Sequence, residues 1–96
     1  MTPEQQRIAI AEAAGWVADV VDKGIWYIPN TFVSKQLPDY LNDLNAMHEA
    51  EKVLSEDQLN KMVQLLYRIP NPYRFWRASA SQRAEAFLRT IGKWTE

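Results

Sequence analysis

The chain has 96 residues, of which 47% are hydrophobic and 24% charged, a composition typical of one compact domain spanning 1–96 and not of a disordered chain. It contains no cysteine, which excludes a disulfide framework and thiolate metal ligands. The N-terminal letters MTPEQQRIAIAEAAGW show no basic start followed by an apolar run. No apolar run approaches the roughly 18 residues of a membrane span. We therefore expect a cytoplasmic protein with no membrane partner.

The formal net charge of −1 conceals an asymmetry between the two parts of the chain. Residues 1–57 carry four Lys or Arg and ten Asp or Glu, a net charge of −6. Residues 58–96 carry seven Lys or Arg and two Asp or Glu, a net charge of +5. Two interpretations stay open: the two parts attract each other within the fold, or the basic part binds an acidic partner.

The first predicted elements are a helix and a hairpin. Thr2 and Gln5 form a capping box that begins a helix at about 3–14, and Gly15 supplies a left-handed stop. The letters WVADVVDKGIWYI then change to β-branched and aromatic residues, with Gly24 at a turn. This pattern predicts a β-hairpin at about 16–29, and the segment 31–33 is a candidate for a further short strand.

Three more helices follow from capping signals and apolar spacing. The first, at about 43–54, has Asn42 or Asp39 as its candidate cap. The second and third begin at serine capping boxes, and a further candidate strand lies between them at about 73–77. Their predicted ranges are about 56–69 and about 80–91. The fold class that these elements predict is α+β, with a small antiparallel sheet packed by about four helices.

The motifs of catalysis and metal binding are incomplete in this chain. His48 begins the letters HEAEK, but the HExxH motif of zinc proteases needs a second histidine where this chain has Lys52. No G-x-S-x-G or phosphate-binding glycine loop is present. We therefore expect no enzyme activity, no metal and no cofactor.

The acidic residues of the helix at 43–54 are interpreted either as a solvated face or as a mimic of nucleic-acid charge.

The segment NPYRFWRAS concentrates aromatic and arginine side chains, the residue types enriched at protein interfaces and at stacking sites for bases. Two interpretations stay open for 73–77: a core strand, or an exposed interface. Aromatic residues of the predicted hairpin are the neighbouring candidates. The predicted binding residues are Trp26, Tyr27, Arg74, Trp76 and Arg77.

Three blocks of the chain resemble small tailed-phage and prophage proteins of the phage α-β-α (ABA) sandwich type: AIAEAAGW, LPDYLNDLNAMHEAEKVL and SASQRAEAFLRTIGKWTE. Those proteins share a helix closing on Gly-Trp, matched by Gly15 and Trp16, and a D-x-x-A-x-x-x-x-E-x-x-L helix, matched from Asp43 to Leu54. They also end on an alanine-rich helix, matched by 84–94. The resemblance implies a compact domain encoded by a phage or prophage, and it implies no catalytic residue.

The functional hypothesis is a non-enzymatic accessory protein that occludes a host protein, as a counter-defence inhibitor of the anti-CRISPR type does; it rests on analogy with other small phage genes. One alternative is a nucleotide or nucleic-acid binder, including a sponge for a signal nucleotide. Another is a self-assembling phage structural component, which would form a homo-oligomer.

Overall fold

The computed structural model describes residues 1–19, 21, 24–29, 31, 33–68 and 78–96. Within these ranges the chain forms four helices and one three-stranded antiparallel sheet, so the predicted α+β class is confirmed. The helices are α1 (Pro3–Ala13), α2 (Leu44–Glu51), α3 (Glu56–Arg68) and α4 (Ala80–Thr90). The strands are β1 (Val17–Ala18), β2 (Trp26–Tyr27) and β3 (Ser34–Lys35).

Capping boxes begin α1, α3 and α4, as predicted. In each box a hydroxyl accepts a hydrogen bond from the backbone N–H three residues on, at 3.1–3.2 Å, while a glutamine side chain accepts one from the N–H of the cap. Two backbone donors that the helix itself cannot satisfy are thereby paired at each start. The boxes join Thr2 with Gln5, Ser55 with Gln58, and Ser79 with Gln82.

Glycines in the left-handed region end α1, as predicted, and α4. Gly15 has φ +97° and Gly92 has φ +75°. After α1, the N–H of Trp16 donates to the carbonyl of Ala11 at 3.0 Å and the N–H of Gly15 donates to that of Glu12 at 3.1 Å, which is a Schellman motif. The same pair of bonds closes α4.

The predicted limits of α2 are wrong at both ends. Its cap is Asp43 and not the predicted Asn42 or Asp39. The Asp43 carboxylate accepts hydrogen bonds from the N–H groups two and three residues on, at 3.0 and 3.2 Å. The Asp39 carboxylate instead accepts from the side chain of Asn42. The helix ends at Glu51 because residues 52–54 form bonds to carbonyls three residues back, a tighter turn that leads into the cap of α3.

The sheet contains the predicted hairpin with shorter strands. Its order is β1-β2-β3, and the register pairs Val17 with Tyr27 and Ala18 with Trp26. The third strand lies at 34–35 and not at the predicted 31–33. Thr31 instead forms a turn: its N–H and hydroxyl both donate to the Ile28 carbonyl, at 3.1 and 3.0 Å. The candidate strand at 73–77 lies outside the described residues.

Helix α4 lies at the centre of the core, in contact with each of the other three helices. The largest fully buried side chains are Phe87, Ile10, Met47, Met62, Leu66 and Leu88. Among the six strand residues, Trp26 is the one that packs against this core. The loop before α2 adds Leu37 and Tyr40, which are also buried. The helices therefore supply most of the core, and the sheet lies at its margin.

Candidate binding surface

The structure places Trp26 and Tyr27 on opposite faces of the sheet. They are adjacent residues of β2, and successive side chains of a strand point to opposite sides. Trp26 packs against the core. Tyr27 lies on the other face, where its hydroxyl donates to Oδ2 of Asp19 at 2.6 Å. The two predicted residues therefore do not form one surface.

The other three predicted site residues, Arg74, Trp76 and Arg77, lie outside the described residues. Their grouping into a stacking or interface surface stays a prediction. Only Trp26 and Tyr27 of the five predicted binding residues are described, and of these two Tyr27 lies on the face of the sheet turned away from the core.

Exposed aliphatic side chains lie near Tyr27 on the hairpin. Val17, its partner in the ladder, is 61% exposed, and Ile25, two residues before it, is 38% exposed. Val21, at the hairpin tip, is 83% exposed, and its N–H donates to Oδ1 of Asp19 at 2.8 Å. We call Val17, Val21, Ile25 and Tyr27 the hairpin face. Neighbouring exposed apolar side chains of this kind are typical of interaction sites.

A second concave surface lies between the C-terminal ends of α1 and α2. This α1–α2 groove has a volume of about 430 Å³. Its apolar lining combines buried, half-buried and exposed side chains, and a salt bridge between Glu49 and Lys52, 2.8 Å long, lies at its mouth. The lining includes Trp16, Ile28, Pro29, Tyr40, Ala50 and Val53.

The contact between Trp16 and Tyr40 is not among the sequence-based predictions. One signal was present: in a Schellman motif the residue after the glycine commonly packs back on the helix, and here that residue is Trp16. The position of Tyr40 had no comparable local signal. It follows from a long-range anchor, because Arg7 donates to the carbonyls of Leu37 and Pro38 and so fixes this loop against α1.

Burial raises the pKa of the Tyr40 phenol above its usual value of 10.0. A side-chain hydrogen bond with Trp16 and the positive charge of Arg7 act in the opposite direction without cancelling the effect of burial. The folded chain therefore keeps this proton at a pH where the unfolded chain has lost it.

This difference predicts how stability responds to alkaline pH. Below pH 10.0 the contribution of the protonated Tyr40 is fully present, and it is lost as the pH rises through the higher pKa of the folded state. We expect Tyr40→Phe to lose stability less steeply than the unmodified chain as the pH rises above about 10. Urea midpoints of both proteins across this range measure the effect, and parallel curves would contradict it.

Several arginines are already bound within the chain. The guanidinium of Arg83 donates to both carboxylate oxygens of Glu51, which joins the acidic part of the sequence to the basic part. Arg7 donates to the carbonyls of Leu37 and Pro38. The Arg83–Glu51 pair agrees with the interpretation that the two parts of the chain attract each other within the fold.

Arg89 contacts a carboxylate and an aromatic ring within the chain. Its Nε donates to Glu85 at 3.1 Å, and its guanidinium lies 5.1 Å from the centroid of the Trp94 ring. Of the four arginines in the described part of the chain, three are thus committed to internal partners. Fewer cations are left for phosphate groups than the sequence count indicates.

His48 is exposed on α2, away from the buried side of that helix. Within the ranges that the structure describes, no group of three or more His, Asp or Glu side chains is placed to hold a metal ion. None of the described helices is long and apolar enough to cross a membrane.

Comparison with known proteins finds no match: no family model, no curated protein and no solved structure is similar to this chain. The phage resemblance therefore depends on the three sequence blocks alone.

Proposed function

We propose that this chain is a non-enzymatic binding protein that occludes a surface of another protein. The observation that carries the proposal is the hairpin face, where Val17, Val21 and Ile25 are exposed around Tyr27. A tyrosine beside exposed aliphatic side chains is a common centre of a protein interface, because its ring buries a large area at a small cost in conformational entropy.

The three sequence blocks that resemble ABA-type phage proteins support a more specific form of this proposal. The chain would then be an accessory protein of a phage or prophage that acts in the cytoplasm of the bacterial host. Its partner would be a host protein, and blocking a defence protein is the role that the analogy with other small phage genes favours.

The charges of the described residues favour a protein partner over a nucleic acid. Nucleic-acid binding depends on free cations that neutralise phosphates and is strongly weakened by salt. Among the described residues of the hairpin, the charged side chain that contacts this face is the carboxylate of Asp19, which accepts from the Tyr27 hydroxyl and the Val21 N–H. An apolar interface here should lose little affinity as salt is raised.

The test is affinity co-purification from bacterial lysate, read by mass spectrometry, with Val17→Asp as the interface variant. Val17 is 61% exposed, so the change should leave the fold intact while placing a charge at the interface centre. We expect the unmodified chain to retain a stoichiometric host protein, and Val17→Asp to weaken that binding at least about 30-fold, the effect of a hot-spot residue.

Leu59→Asp is the matched control, because Leu59 is 41% exposed on α3 and the polarity change is the same. It should retain the partner fully. Equal losses in the two variants, or a chain that returns alone or with a nucleotide, would reject the hairpin face as a protein interface.

A further inference from the structure

The C-terminal ends of α1 and α2 lie beside the α1–α2 groove, and of the two only the end of α2 carries basic residues, His48 and Lys52. Ala14 caps α1 and Lys52 caps α2, and both residues line the groove, so the negative ends of two helix dipoles lie beside it. The last turn of α1 has no basic residue to offset its dipole and carries the exposed Glu12. A positive charge at the mouth of the groove would be attracted by these groups.

The salt bridge at the mouth is easily rearranged. The side chains of Glu49 and Lys52 are 72% and 71% exposed, and such exposed pairs contribute little to stability. A cation brought by a partner can therefore replace Lys52 at the Glu49 carboxylate. Glu51 is not available in the same way, since Arg83 already binds it.

The interior of the groove suits a single large apolar side chain. Its volume of about 430 Å³ lies within the range of about 300–1,000 Å³ that is usual for binding clefts. Half-buried Trp16 offers aromatic surface, and aromatic rings bind other rings in offset or edge-to-face arrangements. Tyr40 is 2% exposed and supports Trp16 from beneath. Val53, 49% exposed, extends the apolar surface outward.

We propose that the α1–α2 groove binds a segment of a protein partner in which an aromatic side chain stands next to a lysine or arginine. The aromatic side chain packs on Trp16 and Val53, and the neighbouring cation pairs with Glu49 and lies near the two helix ends. This site is separate from the hairpin face, so it does not depend on the function proposed above.

The direct test uses three N-acetylated dipeptide amides that differ in one residue: Trp-Arg, Trp-Gln and Trp-Glu. Binding is followed by two-dimensional NMR on the full chain at low salt, through the Trp16 indole and the Ala50 and Val53 amides. We expect Trp-Arg to bind about fivefold more tightly than Trp-Glu, with Trp-Gln between them, and these groove signals to shift most.

Two charge variants test the role of the mouth. Glu49→Gln should abolish the preference for Trp-Arg, whereas Lys52→Gln should increase it because the Glu49 carboxylate is then free. Both residues are exposed, so neither change should alter the unfolding midpoint. Val53→Lys should weaken all three dipeptides, because it places a charge on the apolar wall.

Equal affinity for Trp-Arg and Trp-Glu, or shifts confined to residues outside the groove, would overturn the proposal. So would a Val53→Lys variant that binds as well as the unmodified chain. The hairpin-face variant Val17→Asp should bind the dipeptides normally, so a failure of this site and a failure of the proposed function can be told apart.

Discussion

Replacing Arg83 with alanine is expected to lower the free energy of unfolding by about 3–5 kcal/mol, the usual cost of breaking a buried ion pair. The Arg83 and Glu51 side chains are 14% and 7% exposed. Arg83 Nε donates to Oε2 of Glu51 at 2.9 Å, and its Nη2 donates to the other carboxylate oxygen. Without the guanidinium, a buried carboxylate on α2 would have lost its counter-charge.

Two controls separate this effect from the general loss of a side chain. The double variant Glu51→Leu with Arg83→Met should be more stable than Arg83→Ala, because no unpaired charge remains buried. Lys52→Ala removes the cation of an exposed pair and should change stability by less than about 0.5 kcal/mol. Urea unfolding measures all three, and a double variant as unstable as Arg83→Ala would contradict the expectation.

Phe87→Ala is expected to be comparably damaging, at about 3–5 kcal/mol, through the cavity that it leaves. Phe87 is fully buried on α4, the helix that contacts the other three. A domain of this length has a total stability of only about 5–14 kcal/mol. The variant should therefore be marginally folded, with a melting temperature at least about 12 °C lower by circular dichroism.

The appropriate comparison for Phe87→Ala is Leu59→Ala on α3. Leu59 is 41% exposed, so its truncation should cost less than about 1 kcal/mol. If the two variants melted at similar temperatures, Phe87 would not be at the centre of the core.

Helix boundaries were predictable where local chemistry decides them. The capping boxes of this chain pair a hydroxyl residue with a glutamine three positions on. Thr2 and Gln5 satisfy this requirement within the first helical turn. Gly15 and Gly92 end helices because a positive φ is costly for other residues. These signals lie within one turn of the boundary, so the sequence displays them directly.

Features that depend on distant residues were not predictable in the same way. Glu51 and Arg83 are 32 positions apart, and the charge asymmetry indicated attraction between the two parts of the chain without indicating this pair. The third strand was displaced by the hydrogen bonds of Thr31, and the second helix was shortened by the turn before Ser55. These last two outcomes depend on local hydrogen bonds that compete with the predicted elements, and not on distant residues.

The candidate site shows the same division. Strand alternation, applied to the sequence, would have separated Trp26 from Tyr27, since neighbouring strand residues face opposite ways. The α1–α2 groove could not be predicted from strand alternation or from any other local pattern. It exists because Arg7 holds the loop before α2 in place, which brings Tyr40 to Trp16.

The central position of α4 has a consequence for synthesis on the ribosome. Translation proceeds from the N-terminus, so α1, α2 and α3 are made before the helix that they all pack against. Until α4 emerges, Ile10, Met47 and Met62 lack their main apolar partner, and the nascent chain exposes surface that chaperones recognise. The complete core can therefore form only after α4 has been made.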